Sequence, residues 1–191
     1  MTDGVLSHYF AEAGESNTRD VFDAVSQRAA HLGIHTVLVA TCSGQTALMA
    51  REQLDPDIQI IAVTHYTGFA RPDYQEMPDE MRRALEAKGV RVLTCQHAFG
   101  GVGRGIRRAL STYQTEEIMA YTLRMFGQGT KVAVELVLMA ADAGLVRTDE
   151  DVISIGGTAR GADTALVLRP ANSSDIFNLK VREIICKPSE F

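Results

Sequence analysis

Three apolar runs, each followed by a polar turn and then by a helix-like pattern, constrain the fold of this chain most strongly. They lie at residues 36–40, 58–64 and 90–94. Near-continuous apolar runs of this length are typical of strands that are buried on both faces. Strands that alternate with helices predict a parallel sheet with helices packed on it. The predicted fold class is therefore α/β, with three layers (α/β/α) and a mostly parallel sheet.

The ends of the chain predict further strands and an antiparallel edge to this sheet. Residues 5–10 are a candidate first strand, and Asn17 is a candidate N-cap for the helix that follows. Residues 151–155 and 164–168 are predicted to form a pair of strands joined by a glycine loop, either a hairpin or neighbours. Residues 179–186 alternate enough to be an edge strand.

Composition restricts the class of protein. The 191 residues fit one domain, 1–191, and 46% of them are hydrophobic, enough for a core. A net charge of −5 argues against a nucleic-acid partner. No apolar tract is long enough to span a bilayer, and no signal peptide is visible, so no membrane partner is expected. Three widely spaced cysteines look reduced, which predicts a cytoplasmic location.

The carboxyl ends of the predicted parallel strands are the expected place for a ligand. Three loops belong together there, at residues 41–46, 65–71 and 95–105. The first, which we call the serine turn (residues 41–46), carries hydroxyl groups and glycine just before a helix. Such a turn exposes backbone N–H groups at the positive end of a helix and suits a phosphate.

The third loop has two interpretations. It contains four glycines between residues 100 and 105, which permit close approach of backbone to a ligand but are equally typical of a flexible loop. Arg104, Arg107 and Arg108 follow the first of these glycines, a setting that suits a small anion, although solvated surface charge explains them as well.

Two stretches resemble the C-terminal domain of pyruvate kinase. Residues 36–48, with Ser43, Gly44 and Thr46 after a strand, precede an Ile-Ile-Ala-Val-Thr strand at residues 60–64. Residues 144–168 are similar to a strand, glycine loop and strand of the same domain. The order and spacing agree over residues 17–169. The chain has no room for the catalytic barrel, so pyruvate kinase activity is not implied. It looks like a stand-alone member of the pyruvate kinase alpha/beta domain family.

This resemblance implies a ligand. In the enzyme's regulatory domain the equivalent turn holds a phosphate of a sugar bisphosphate, and the glycine loop closes over the far end. Stand-alone members look like binders of flavin mononucleotide (FMN), which implies an FMN cofactor here. The candidate cofactor-binding residues are Thr41, Cys42, Ser43, Gly44, Gln45, Thr46, Thr64, His65, Tyr66, Gly68, Phe69, Phe99, Gly100, Gly101, Gly156, Gly157, Thr158 and Arg160.

No catalytic set can be read from the sequence. Cys42 could be a thiol of lowered pKa at a helix N-terminus, or a small packing residue. His65 and His97 could meet over the pocket as acid–base groups, or be hydrogen-bonded loop residues. Arg160 could pair with Asp163 or hold an anion. No histidine has metal-ligand spacing, so no metal is expected.

Several functions remain open at this stage. The first is a binding module for a phosphorylated ligand, with FMN foremost. The alternatives are a flavin-dependent oxidoreductase of unknown substrate and a sugar-phosphate-sensing regulatory module. The apolar helical region at residues 118–139 could also form a homodimer contact.

Overall fold

The computed structural model describes residues 6–191, and this part of the chain forms seven strands and six α-helices. The strands are β1 (His8–Glu12), β2 (Thr36–Ala40), β3 (Gln59–Val63), β4 (Arg91–Leu93), β5 (Val152–Gly156), β6 (Thr164–Arg169) and β7 (Lys180–Glu190). The helices are α1 (Thr18–Leu32), α2 (Gln45–Gln53), α3 (Asp79–Ala87), α4 (Gly101–Leu110), α5 (Thr115–Arg124) and α6 (Gln128–Asp142). None of these helices is long and apolar enough to cross a bilayer.

All seven strands join one sheet in the order β1-β7-β6-β5-β2-β3-β4. Strands β5, β2, β3 and β4 are parallel to one another, and β6 alone runs the other way, pairing antiparallel with both β5 and β7. The hairpin predicted at β5 and β6 is confirmed. The edge position predicted for the tail is wrong, because β1 pairs in parallel with β7 and covers its outer side.

Helices cover both faces of the sheet, which confirms the three-layer α/β fold. One core cluster packs α1, α2 and α3 on one face, and the other packs α5 and α6 on the opposite face. Successive side chains of β3 alternate between them: Ile60 and Ala62 belong to the first cluster, and Ile61 and Val63 to the second. Burial on both faces explains why this strand is apolar at nearly every position.

The first elements begin and end differently from the prediction. The first strand is His8–Glu12, and Val5, which the prediction included, lies outside the described residues. The side chain of Asn17 does not cap α1. Its amide Nδ2 instead donates to the carbonyl of Glu12 at 2.8 Å and fastens the preceding turn. α1 ends at Gly33, which adopts the left-handed conformation.

Three helices, α4, α5 and α6, contribute side chains to the wall of the site. The glycine-rich segment predicted as a loop is a helix, since α4 begins at Gly101 and continues through the three arginines to Leu110. α6 is buried along most of its length within the core, as its apolar circumference predicts. Several apolar side chains of α5 are exposed, among them Ile118 and Tyr121. The homodimer contact in this region stays a prediction.

Candidate functional site

A cleft of about 1100 Å³ lies at the carboxyl ends of β2, β3 and β4. Its walls come from the serine turn, the loop after β3, the loop after β4, and the glycine loop between β5 and β6 (residues 157–163). Parallel strands bring the loops that follow them to the same edge of the sheet, so the predicted convergence has a direct physical cause. α5 and α6 complete the wall with side chains from their cleft-facing sides.

An internal hydrogen bond and one glycine determine the conformation of the serine turn. Oγ1 of Thr41, a buried side chain, accepts a hydrogen bond from the N–H of Gly44 at 3.0 Å. Gly44 has φ +94°, and a Cβ there would lie 2.3 Å from Cγ of Met81. A side chain at this position would be strained and would collide with α3. Thr41 and Gly44 therefore shape the turn, and Ser43 is left exposed.

The turn presents the start of α2 to the cleft. Gly44 is the N-cap residue of α2 and no side chain caps the helix. The N–H groups of a first helical turn have no partner within the helix and carry partial positive charge. The side chains of Ser43, Gln45 and Thr46 line the cleft beside these groups. These N–H groups can donate hydrogen bonds to the oxygens of an anion.

Five basic side chains line the same cleft, and they fall into two groups. Arg107 donates to Glu117 at 2.6 Å, and Lys131 is bonded to Glu135 four residues later. Arg104, Arg124 and Arg160 also line the cleft and form no ion pair within residues 6–191. The guanidinium groups of these last three are the cations available to a ligand.

An aromatic group made of His65, Tyr66, Phe69 and His97 stands between the second and third loops. The rings of His65 and Phe69 are stacked at 3.8 Å, and the guanidinium of Arg104 lies 4.4 Å from the Phe69 ring centre. Tyr66 meets Phe69 and His97 edge-on. The rings of His65 and His97 lie close together, with centres 5.3 Å apart, and their role as acid–base groups stays a prediction. Burial, opposed in part by Glu135, lowers the pKa of His97 to about 4.

Cys42 lies against His65 and Glu76. Its Sγ is 3.4 Å from Nδ1 and 3.5 Å from Nε2 of His65, and Nδ1 is 2.7 Å from Oε2 of Glu76. The prediction of a lowered thiol pKa is wrong. Burial and, secondarily, the Glu76 carboxylate raise the pKa of Cys42 to about 11, because both disfavour the thiolate.

The glycine loop is fixed by Asp163 rather than by an ion pair with Arg160. Asp163 is fully buried, and its carboxylate accepts hydrogen bonds from the N–H of Gly14, the N–H of Thr158 and the hydroxyl of Thr164. Arg160 is exposed in the cleft, so the predicted alternative in which it pairs with Asp163 is wrong. Oγ1 of Thr158 is buried and has no hydrogen-bond partner in the described part of the chain.

The structure places most of the predicted ligand residues in the cleft wall. Those that line the cleft are Thr41, Cys42, Ser43, Gln45, Thr46, Thr64, His65, Phe69, Phe99, Gly100, Gly157 and Arg160. The remaining six, Gly44, Tyr66, Gly68, Gly101, Gly156 and Thr158, do not line the cleft. Gly156 shows why: a Cβ on it would lie 2.3 Å from the carbonyl oxygen of Gly129, so this glycine allows α6 to pack on β5.

Sequence reasoning missed three charged residues of the site. Lys131 and Glu135 lie in an otherwise apolar helix, and Glu135 also accepts a hydrogen bond from the N–H of Phe99 at 2.8 Å. Burial lowers the pKa of Lys131, and Glu135 opposes the shift. The sequence did contain a signal for this pair, since two opposite charges four residues apart interrupt an otherwise apolar helix. Glu76 comes from an irregular loop and carried no comparable signal.

The family model that describes the alpha/beta domain of pyruvate kinase matches residues 19–168. This chain belongs to the pyruvate kinase alpha/beta domain family. The match runs from α1 to the end of β6 and confirms the resemblance inferred from the serine turn and the strands around it. Strands β1 and β7, at either end of the described residues, lie outside the matched range.

Solved pyruvate kinases are also similar to this member of the family. A pyruvate kinase from Cryptosporidium parvum is 15% identical with a TM-score of 0.43, and 81% of this chain aligns with it. A second structure of the Cryptosporidium parvum enzyme is 14% identical with a TM-score of 0.42. The chain spans about a quarter of the length of these enzymes, 23% and 24%.

Proposed function

We propose that the cleft binds a phosphorylated small molecule, FMN, with its phosphate at the serine turn. The observation that carries this proposal is the uncapped N-terminus of α2, which opens on a cleft that also contains Arg104, Arg124 and Arg160. Helix N-termini and unpaired arginines are both suited to phosphate. The two features lie in one cleft of a chain whose net charge is −5, so they bring positive charge to a defined place on an acidic protein.

The phosphate end uses backbone and hydroxyl donors together. The first-turn N–H groups of α2 and the hydroxyls of Ser43 and Thr46 can donate to phosphate oxygens. The buried Thr41 holds the shape of this turn, because its hydroxyl accepts from the N–H of Gly44. Arg160, on the glycine loop across the cleft, supplies charge from the opposite wall.

The size and the lining of the rest of the cleft support binding of the flavin ring system. Pockets for cofactors of this size commonly measure about 300 to 1000 Å³, and the cleft measures about 1100 Å³. The stacked pair of His65 and Phe69 offers aromatic surface to a flat ring system, and Met139 and Leu136 add apolar surface from α6. Backbone at Gly157 and Gly161 lines the far wall and suits polar atoms at the ring edge.

The experiment is a visible absorbance spectrum of the purified protein, taken before and after incubation with FMN and removal of free ligand by gel filtration. We expect the flavin bands to travel with the protein at a ratio approaching one per chain. A protein that stays colourless after incubation with excess FMN contradicts the proposal. Hen lysozyme carried through the same procedure controls for incomplete removal of free flavin.

A further inference from the structure

Cys42, His65 and Glu76 bring three metal-binding atoms to one point at the edge of the cleft. A sulfur, an imidazole nitrogen and a carboxylate oxygen lie within 4.8 Å of one another. We infer that these three side chains form a site for zinc with a fourth position open to the cleft. The inference does not rest on flavin binding, although all three residues line the cleft in which FMN is proposed to bind. The ligands come from three separate loop positions, which is why spacing along the sequence indicated no metal.

The donor atoms lie close enough together for one tetrahedral ion to bind all three after small side-chain movements. Zinc bonds to sulfur at about 2.3 Å and to imidazole nitrogen at about 2.0 Å, which separates the two donors by about 3.5 Å at a tetrahedral angle. Sγ of Cys42 lies 3.4 Å from Nδ1 of His65 but also 3.5 Å from Nε2, so the Cys42 side chain must rotate toward Nδ1 before both atoms can bind one ion. Oε2 of Glu76 is closer to Nδ1, at 2.7 Å, because the two are hydrogen-bonded. An ion bound to both atoms would replace that hydrogen bond.

The same geometry argues against a thiol–imidazole–carboxylate catalytic set. In such a set the two ring nitrogens serve different partners, one the nucleophile and the other the carboxylate. Here the thiol is nearly equidistant from both nitrogens, and the nitrogen that contacts Glu76 is also the nearer one to Cys42. The ring therefore does not relay a proton between Cys42 and Glu76 in this arrangement.

The surrounding residues hold the ligands in place, as the outer shell of a metal site does. Nε2 of Gln75 and the hydroxyl of Thr64 both donate to the carbonyl of His65, at 3.0 and 2.8 Å. Phe69 stacks on the imidazole at 3.8 Å. Glu76 is followed by Met77, which is buried and anchors the loop in the core. The backbone and the ring plane of the central ligand are thereby fixed.

The partial exposure of the three ligands to the cleft leaves a fourth coordination position open. The side chains of His65 and Glu76 are 28% and 27% exposed, and all three ligands line the cleft. Structural zinc sites are closed by four protein ligands, whereas sites with three protein ligands leave a position for water or substrate. A mixed sulfur, nitrogen and oxygen set favours zinc over the hard cations, which prefer oxygen alone. An oxygen of an anion held by the neighbouring serine turn can occupy the fourth position.

The test is a titration of metal-free, flavin-free protein with Co²⁺, followed by Zn²⁺. Co²⁺ in a tetrahedral site with a thiolate shows a sulfur-to-cobalt charge-transfer band and intense visible bands. We expect both to saturate at one Co²⁺ per chain and to disappear when one equivalent of Zn²⁺ is added. Absence of the charge-transfer band at excess Co²⁺ overturns the inference.

Three variants locate the ion. Cys42→Ser should remove the charge-transfer band, whereas Cys95→Ser, a matched half-buried cysteine elsewhere, should keep it. Glu76→Gln keeps the sulfur and should weaken Co²⁺ binding at least about tenfold without removing the band. A band that persists in Cys42→Ser, or wild-type affinity in Glu76→Gln, overturns the inference. Circular dichroism measures whether each variant is folded. If Cys42→Ser does not fold, the Co²⁺ affinity of Glu76→Gln decides the test.

Discussion

The carboxylate of Asp163 accepts a hydrogen bond from the N–H of Gly14, 149 residues earlier in the chain, at 3.0 Å. The same Oδ2 accepts from the N–H of Thr158 at 2.9 Å, and Oδ1 accepts from the hydroxyl of Thr164. One buried side chain therefore joins the turn before α1 to the glycine loop of the cleft. These hydrogen bonds fasten the wall that carries Arg160.

Replacing Asp163 by alanine should destabilise the fold. Asp163→Ala leaves two backbone donors without their acceptor, and we expect the free energy of unfolding to fall by about 2 to 4 kcal/mol. Asp163→Asn retains one acceptor oxygen and should lose less. Urea denaturation of the three proteins measures the difference. Equal losses in the two variants would show that these hydrogen bonds do not hold the loop.

The close packing of α6 on β5 predicts a large effect at Gly156. A Cβ there meets the carbonyl oxygen of Gly129 at 2.3 Å, and the contact is with backbone, which cannot move aside without displacing the helix. Gly156→Ala should therefore cost about 1 to 3 kcal/mol, the usual range for overpacking.

Gly105→Ala provides the matched control for this variant. Gly105 lies in α4 with open space around its Cα, so alanine should be neutral or stabilising by up to about 1 kcal/mol. Thermal melting compares the two variants with the wild type. A Gly156→Ala protein as stable as the wild type contradicts the packing described here.

The neutral state of His97 predicts a stability that falls in mild acid. The pKa of His97 is about 4 in the folded chain, against an ordinary value of 6.5, because the ring is desolvated. Between these values the unfolded state binds more protons, so the free energy of unfolding falls as the pH falls from about 6.5 to about 4. The loss assigned to this residue is at most about 3 kcal/mol.

A comparison with His97→Gln isolates this contribution. Glutamine does not titrate, so the variant should show a shallower fall of stability over the same pH range. Urea midpoints at several pH values provide the measurement, and NMR of the imidazole protons reports the pKa directly. A pKa of His97 near 6.5, or the same dependence of stability on pH in the two proteins, would contradict this prediction.

A carboxylate in the serine turn should abolish binding of the phosphate. Ser43 is exposed in the cleft beside the start of α2, so Ser43→Asp adds a negative charge where the anion is proposed to sit. Like charges about 4 Å apart repel by several kcal/mol near a protein surface, and we expect affinity for FMN to fall at least about 100-fold. Ser174→Asp, an exposed serine outside the cleft, should bind FMN as the wild type does. Fluorescence titration compares them; unchanged affinity in Ser43→Asp places the phosphate elsewhere.

Much of the architecture could be predicted because burial on both faces of a parallel strand leaves a distinct apolar run. β2 and β3 are such runs, and their direction fixes which edge of the sheet carries the loops. The helix α4 could not be predicted in the same way. Gly101, Gly103 and Gly105 are poor helix formers, and the helix exists through tertiary contacts: Gly103 is buried against the side chains of Gln114 and Glu116.

The same contrast applies to the site. The serine turn was visible because hydroxyls and a glycine follow a buried strand directly. The contact between Cys42 and Glu76 could not be predicted in this way. Glu76 lies in the irregular segment between β3 and α3, and no local sequence pattern predicts the conformation of that segment. The raised pKa of Cys42 depends on that contact and on burial, so the lowered value predicted from a helix N-terminus was wrong.

The most direct test of the phosphate site is a comparison of FMN with riboflavin, which has the same ring and lacks the phosphate. Both ligands are titrated into the wild-type protein at one ionic strength, with quenching of flavin fluorescence as the signal. If the phosphate lies at the start of α2, FMN should bind at least about 100-fold more tightly than riboflavin, a difference of about 3 kcal/mol. Equal affinities, or no quenching by either flavin, would contradict the account.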